Sequence, residues 1–409
     1  MREIAEPQDM RLYENILLPF RSMLVDCQHR GVYIDIPELI QKRSELKTEQ
    51  ELITEFLKDI CGLPTLNPGS TFQIQDVLFK DFRLKRPSIY NNKGELEEMR
   101  GSGEPVLLEL LKDDKEFLQY TEQVSQEMKV DGERTAAKFT FVDLLHRLAI
   151  QNEKLAFVLG ILVYRDAQKD ISTYFDGVAK YISPFTRCVH PFTNPAGTET
   201  GRFAGSRPSL LNVKNSPRVK TIYRARPGFK LMYADQNSME LRTFACLTQD
   251  EVLAQLLIRS DTMGESIHTQ IGKAVFPYYD TAPQWWRSMT KTIVYGILFN
   301  RSALAIATRF KIPLEEAEGH KNTVLKYLSG YYRHESSVMK QLLEEQEVRT
   351  VFGRRRRFPY LPRNRRAMSH IKNAAINMPV QGTAADINSF AMLDVWKERF
   401  EHGVFPLWP

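Results

Sequence analysis

Four residues spaced by four, Arg287, Lys291, Tyr295 and Phe299, constrain this 409-residue chain more than any other feature. They stand in RSMTKTIVYGILFN, the stretch from Arg287 to Asn300, which holds no proline and whose spacing predicts a helix. At about 100° per residue, each step of four advances the side chain by only about 40°, so the four form one slowly drifting stripe. Along it run cation, cation, aromatic, aromatic. A face turned into a core would not begin with two long cations, which are rarely fully buried unless paired. A face left wholly to water would not end with two rings. A nucleoside triphosphate suits both halves, with cations along the phosphates and a ring against sugar and base. An amphipathic helix whose cations snorkel past an apolar surface has the same spacing.

The size allows two or three domains and a large core. A composition of 43% hydrophobic and 26% charged residues excludes a disordered chain. The net charge of +6 is mild, but its distribution is not. From Arg349 to Lys372 there is no Asp or Glu, and Arg354 to Arg357 are consecutive, which suits a phosphate backbone as well as a solvated face. Cys27, Cys61, Cys188 and Cys246 have no metal-ligand spacing and read as structural thiols of a reduced compartment. The longest apolar run, from Leu155 to Tyr164, is about half of a membrane span, and MREIAEPQDM is not a signal sequence. A soluble protein of the cytoplasm, with no membrane partner, is the expectation.

RSMTKTIVYG resembles the nucleotide-binding helix of the family A DNA polymerases, the bacterial DNA polymerase I group, whose pattern is Arg, three residues, Lys, three residues, Phe or Tyr, Gly. Other stretches resemble the family in the order it requires. A helix over 11–30, GVYIDIPEL, a long helix opened by Pro37, and LNPGSTFQIQDVLF resemble the start of its thumb. Residues 85–105 read as a loop at the thumb tip, and 106–160 as helices, in part inserted relative to the family. TGRF within HPFTNPAGTETGRFAGSRPSLLNV resembles the segment leading into the palm, VRTVFGRRRRFPYLP a fingers segment, and INMPVQGTAAD a family signature.

GFKLMYADQNSMELR reads as an apolar strand that delivers Asp235 at its tip, with Glu240 five residues on. It resembles the first catalytic motif. Phosphoryl transfer needs charge neutralisation more than covalent chemistry, and magnesium held by carboxylates and substrate phosphates supplies it. The resemblance implies the following roles. Asp235 would bind both of two Mg2+ ions, aided by the backbone carbonyl of Gln236, and Lys291 would act in catalysis. Arg287, Lys291 and His268 would contact the triphosphate, Tyr295 the sugar, and Phe299 the place of the templating base. Glu240 would be the steric gate against a ribose 2′-hydroxyl. Arg165 and Lys169, one turn apart, would lie along duplex phosphates, Arg202 would reach the minor groove, and Asn377 and Gln381 would touch template and primer. For the cations and His268, ordinary surface charge or a core histidine is the other reading. Four departures stand out: Gln236 where Tyr is frequent, Ser238 for Gln, Phe299 for Tyr and Asn300 for Gly. A fifth, Asn373, replaces an Arg four residues before Asn377.

The architecture so implied is mixed α/β (α+β), a right-hand polymerase with an antiparallel palm sheet and mainly helical thumb and fingers. Residues 1–180 would be thumb, with the inserted segment at about 106–160. Residues 181–243 would be the first part of the palm, 244–377 the fingers, and 378–409 the second part of the palm. The implied function is template-directed DNA synthesis on primer–template DNA from dNTPs, in a bacterial or virus-infected bacterial cell. The family's second catalytic Asp comes from a His-Asp pair in a palm hairpin beyond the position of Gln381, and no His-Asp pair occurs in this sequence. VFPLWP would begin that hairpin, so the expectation is one chain of a split polymerase, completed by a second polypeptide. Two rivals remain: a non-catalytic binder of primer–template, and a single-subunit RNA polymerase, against which Glu240 argues.

Overall fold

The computed structural model describes residues 7–90, 96–112, 114, 117, 119 and 141–407. In chain order the protein passes through α1 (Leu18–Arg30), β1 (Val32–Tyr33), α2 (Ile36–Cys61), β2 (Ser88–Tyr90), β3 (Leu96–Glu98) and α3 (Phe141–Asp170). Then come β4 (Cys188–Val189), β5 (Phe192–Asn194), β6 (Ala204–Ser206), α4 (Met239–Thr248), α5 (Ile267–Val275) and α6 (Pro283–Leu298). α7 (Gly330–Glu345), β7 (Glu347–Arg349), β8 (Arg355–Arg357) and α8 (Arg365–Lys397) complete the set that matters here. Two compact units result. One comprises Val32–His190 and Asn212–Lys230; the other comprises Met1–Gly31, Pro191–Leu211 and Leu231–Pro409.

In the first unit α2 begins where local chemistry demands it. Asp35 accepts a hydrogen bond from the Glu38 amide at 3.2 Å, Pro37 occupies the first turn, and Gly62 ends the helix at φ 65°. α3 is broken at Asn152 (φ −152°, ψ 94°), whose side chain accepts from the Leu155 amide at 3.1 Å and so caps the second half afresh. The core gathers Ile53, Leu57, Ile74, Leu78, Leu107, Leu145, Phe157 and Ile161, each worth roughly 1.5–3 kcal/mol of burial. The two long helices cross at Gly160, where a Cβ would come within 2.9 Å of Leu57 Cδ2. β1 pairs antiparallel with β4, Val32 opposite Val189.

The loop expected over 85–105 is corrected in part. β2 and β3 pair antiparallel there, Ser88 opposite Glu98 and Tyr90 opposite Leu96. Ser-Ile-Tyr and Leu-Glu-Glu flank Asn and Gly residues, which is a hairpin pattern. Residues 91–95, and most of the inserted segment between 113 and 140, lie outside the described residues.

The second unit buries Ile271, Met289, Ile293, Ile297, Val324, Leu342, Ile376 and Val380 among its helices. β5 pairs with β6, and β7 with β8, both antiparallel. Antiparallel pairs are therefore present, as expected, but the apolar strand leading to Asp235 is not. Residues 229–236 form no β-ladder among the described residues, and Phe229, Leu231, Met232 and Tyr233 are 64%, 43%, 74% and 84% exposed. Strand-forming residues become a strand only where a neighbour supplies the ladder, and burial of one face is what holds it. The start of VFPLWP is not a strand either: residues 403–407 are irregular, with the Cys27 thiol donating to the Pro406 carbonyl at 3.3 Å and the Arg30 guanidinium 4.1 Å above the Phe405 ring. Trp408 and Pro409 lie outside the described residues. Among the described residues no helix is long and apolar enough to cross a membrane.

Candidate nucleotide and nucleic-acid site

α6 is the predicted helix, with Pro283 in its first turn. Its buried face carries Met289, Thr290, Ile293, Val294 and Ile297, and that burial turns the stripe the other way: Arg287, Tyr295 and Phe299 are half-buried and Lys291 is exposed. Thr290 satisfies its hydroxyl on the Trp286 carbonyl at 2.8 Å. α5 packs against this helix at Gly272, where a Cβ would meet Thr290 Oγ1 at 2.9 Å. One turn earlier on α5, this close approach puts the His268 ring 5.6 Å from the Tyr295 ring, and Tyr295 in turn stacks on Phe299 at 5.9 Å.

His268 is 6% exposed, and its Nδ1 is buried without a hydrogen-bond partner. Burial, then Lys291, then Arg287 push its pKa down to about 4. Burial and the positive charge nearby both favour the neutral ring, so His268 is uncharged at physiological pH. Burial, then the Glu240 carboxylate, push the Tyr295 hydroxyl up. Glu240, in the first turn of α4, forms an ion pair with Arg202. The aromatic half of the stripe is thus flanked by the His268 ring, and the stripe's cations and Glu240 are near enough to shift the His268 and Tyr295 pKa values.

The residue before Arg202, Gly201, packs against a buried network of Arg354, Asp386 and Thr350 that the sequence reading did not single out. Gly201 sits at φ 82° so close to Arg354 that a Cβ would meet Nε at 2.5 Å. Arg354 Nε and a terminal nitrogen donate to Asp386 Oδ1 at 2.9 and 2.7 Å, and Thr350 Oγ1 donates to Oδ2 at 2.9 Å. Glu199 pairs with Arg356 on the same loop. The signal was present: an Asp inside the apolar run GTAADIN needs a buried partner. Three of the consecutive arginines, Arg354, Arg356 and Arg357, thereby pair with the protein's own carboxylates, Asp386, Glu199 and Glu347.

On α8, Asn377 has a buried Oδ1 without a hydrogen-bond partner, and Gln381 one turn on is half-buried. Asp235 and Gln236 are exposed on the irregular segment before α4. Among the described residues no three His, Cys, Asp or Glu side chains are grouped to hold a metal. One carboxylate and a neighbouring carbonyl suit magnesium, which takes its other ligands from phosphates and water, and do not suit a preformed cage. In the other unit, Arg165 is half-buried, donates to the Ser102 carbonyl and has its pKa lowered by burial, while Lys169 is exposed. The expected pair of cations is thus unequal in exposure.

A family model described as DNA polymerase family A matches residues 115–404. DNA polymerase I of Chloroflexus aurantiacus is 27% identical over 406 residues, covering 98% of this chain and 38% of that protein. The thermostable DNA polymerase I of Thermus aquaticus is 33% identical over 408 residues, covering 98% of this chain and 43% of that protein. Among solved structures, the POL domain of Pol1 from M. smegmatis, in complex with DNA primer-template and dNTP, matches with a TM-score of 0.70 at 25% identity. That match covers 96% of this chain and 62% of the other. The chain spans about two-fifths of the length of the curated relatives it matches.

Proposed function

The chain belongs to DNA polymerase family A, and we propose from that membership that it takes part in template-directed DNA synthesis, adding dNTPs to a primer 3′-hydroxyl. The observation that carries this reading is the line of His268, Tyr295 and Phe299 rings along α6, the helix that also bears Arg287 and Lys291. Arg287 and Lys291 would neutralise the triphosphate, with the neutral His268 imidazole beside them as a hydrogen-bond partner. Tyr295 would lie along the sugar, and Glu240 would occupy the space a 2′-hydroxyl needs. Phe299 would bear on the templating base. Arg202, once exchanged from Glu240 to the minor groove, would test the geometry of the primer end without reading its sequence. Asp235 and the Gln236 carbonyl would hold magnesium, which when bound lowers the charge of the reacting phosphate and the attacking oxygen.

We further propose that a second polypeptide supplies another carboxylate beside Asp235. The exposed apolar side chains of Leu231, Met232 and Tyr233 support this, since a strand added there would bury them and give this segment a ladder leading to Asp235. The exposure of Asp235 equally favours a second reading, a binder of primer–template that performs no chemistry. Primer extension with magnesium and dNTPs or rNTPs separates the two, using the full chain alone and then with the products of neighbouring genes. The polymerase reading expects extension with dNTPs only when a partner is added, lost in Asp235→Ala. Robust extension by the chain alone would overturn the second-polypeptide part, and no extension under any condition would favour the binder.

A further inference from the structure

Just past the end of α6 lies a hydrogen-bonded junction that the nucleotide contacts do not use. Asn300 adopts φ 48°, in the left-handed region, and its N–H donates to the Ile297 carbonyl at 3.0 Å. Its side-chain amide is engaged at both ends. Nδ2 donates to Asn373 Oδ1 at 2.7 Å, and Oδ1 accepts from the Tyr331 hydroxyl at 2.9 Å. One amide therefore joins the end of α6 to the start of α7 and to the first third of α8. Tyr331 is 5% exposed, so a hydroxyl without this partner would be left buried and unbonded. A second tie runs alongside: the buried ring of His334 on α7 is hydrogen-bonded through Nε2 to the Ile376 carbonyl of α8 at 2.9 Å.

The placement of this junction is what gives it meaning. Asn300 directly follows Phe299, and Asn373 precedes Asn377 by one helical turn, on the same side of α8. The amide thus ties the residue after Phe299 to the residue one turn before Asn377. The two asparagines are 73 residues apart in the chain and meet only in the fold. Each side chain gives the other a partner in the interior. A glycine would reach φ 48° without strain yet carry no amide.

We propose that the Asn300–Asn373–Tyr331 junction is a specificity-determining device, holding Phe299 at a set distance from Asn377 and so defining the width available to the templating base. Asn300 and Asn373 are positioning residues in this scheme. The inference rests on the nucleotide-site reading above. A wall held in place rejects a mispair whose width differs, whereas a loosened one accepts both.

Two measurements on the full chain test it. The first needs no nucleic acid: hydrogen exchange of the segment 296–303 in Asn373→Ala, Tyr331→Phe and the double variant, none of which alters the α6 backbone. Loss of one net hydrogen bond should speed exchange by about three- to tenfold, with the double variant no faster than the quicker single. Unchanged exchange, or fully additive effects, would overturn the junction. The second uses primer–template with 2-aminopurine as the templating base, titrated with dTTP or with mismatched dCTP. The ratio of the two affinities should fall by about three- to tenfold in Asn300→Gly and Asn373→Ala, with primer–template affinity unchanged. An unaltered ratio would overturn the specificity role. A wild-type chain that binds neither primer–template nor dNTP would sink the nucleotide-site reading and this role with it, while the exchange result still decides whether the junction exists.

Discussion

Replacing Arg354 by Met should destabilise the second unit by an amount that grows with pH. Asp386 is 0% exposed, and its carboxylate has three hydrogen-bond donors: two from Arg354, itself 11% exposed, and the Thr350 hydroxyl. Burial already raises the Asp386 pKa above its ordinary 3.8, against the lowering pull of Arg354 and Thr350. Met keeps an unbranched stem over Gly201 and removes the charge, leaving a buried carboxylate with one neutral donor. Breaking a buried pair in this way costs about 3–5 kcal/mol. The pH dependence follows from the sign of the shift. Where the folded pKa is raised, the folded state keeps a proton that the unfolded chain has released, so stability falls as pH rises from 3.8 to the folded pKa and is level beyond it. Without Arg354 the folded value rises further and the falling window extends upward, at about 1.4 kcal/mol per pH unit. Urea unfolding of the full chain followed by circular dichroism at pH 5, 6.5 and 8 should show the variant's deficit larger at pH 8 than at pH 5. The double variant Arg354→Met, Asp386→Asn should recover most of the loss at pH 8. A deficit that does not change with pH, or one below about 1 kcal/mol, would refute the assignment of a buried charged pair.

Three further outcomes are expected. The His268 pKa is lowered to about 4, so stability should drop as pH falls from 6.5 to 4, by about 3 kcal/mol, and level off below that. His268→Gln should remove this drop, and a variant with the same acid-side loss in urea midpoints would count against the burial argument. In an assembly that extends primers, Glu240→Ala should raise ribonucleotide incorporation by about ten- to a hundredfold, roughly 1.4–2.8 kcal/mol of lost discrimination, and unchanged dNTP/rNTP ratios would remove its gate role. Tyr295→Phe should lower acceptance of dideoxynucleotides relative to deoxynucleotides, because the hydroxyl stands in for the missing 3′ contact; an unaltered ratio would place Tyr295 away from the sugar.

The stripe of Arg287, Lys291, Tyr295 and Phe299 was legible without coordinates because helical periodicity is a local property: φ and ψ repeat, and side chains four apart share a side. The start of α2 was legible for the same reason, since Asp35 and Pro37 act on their own turn. The family followed from the order of such local patterns. Three things required the folded chain. Residues 229–236 have strand composition but no ladder among the described residues, because a β-strand is a property of two segments and not one. Asp386, Arg354 and Gly201 are 32 and 153 residues from one another along the chain, counted from Arg354, and only packing brings them together. Asn300 and Asn373 read separately as two losses, a turn glycine and a contact arginine. Across 73 residues they are one hydrogen bond, since the energy of a polar group in a protein interior depends on the partner it meets there.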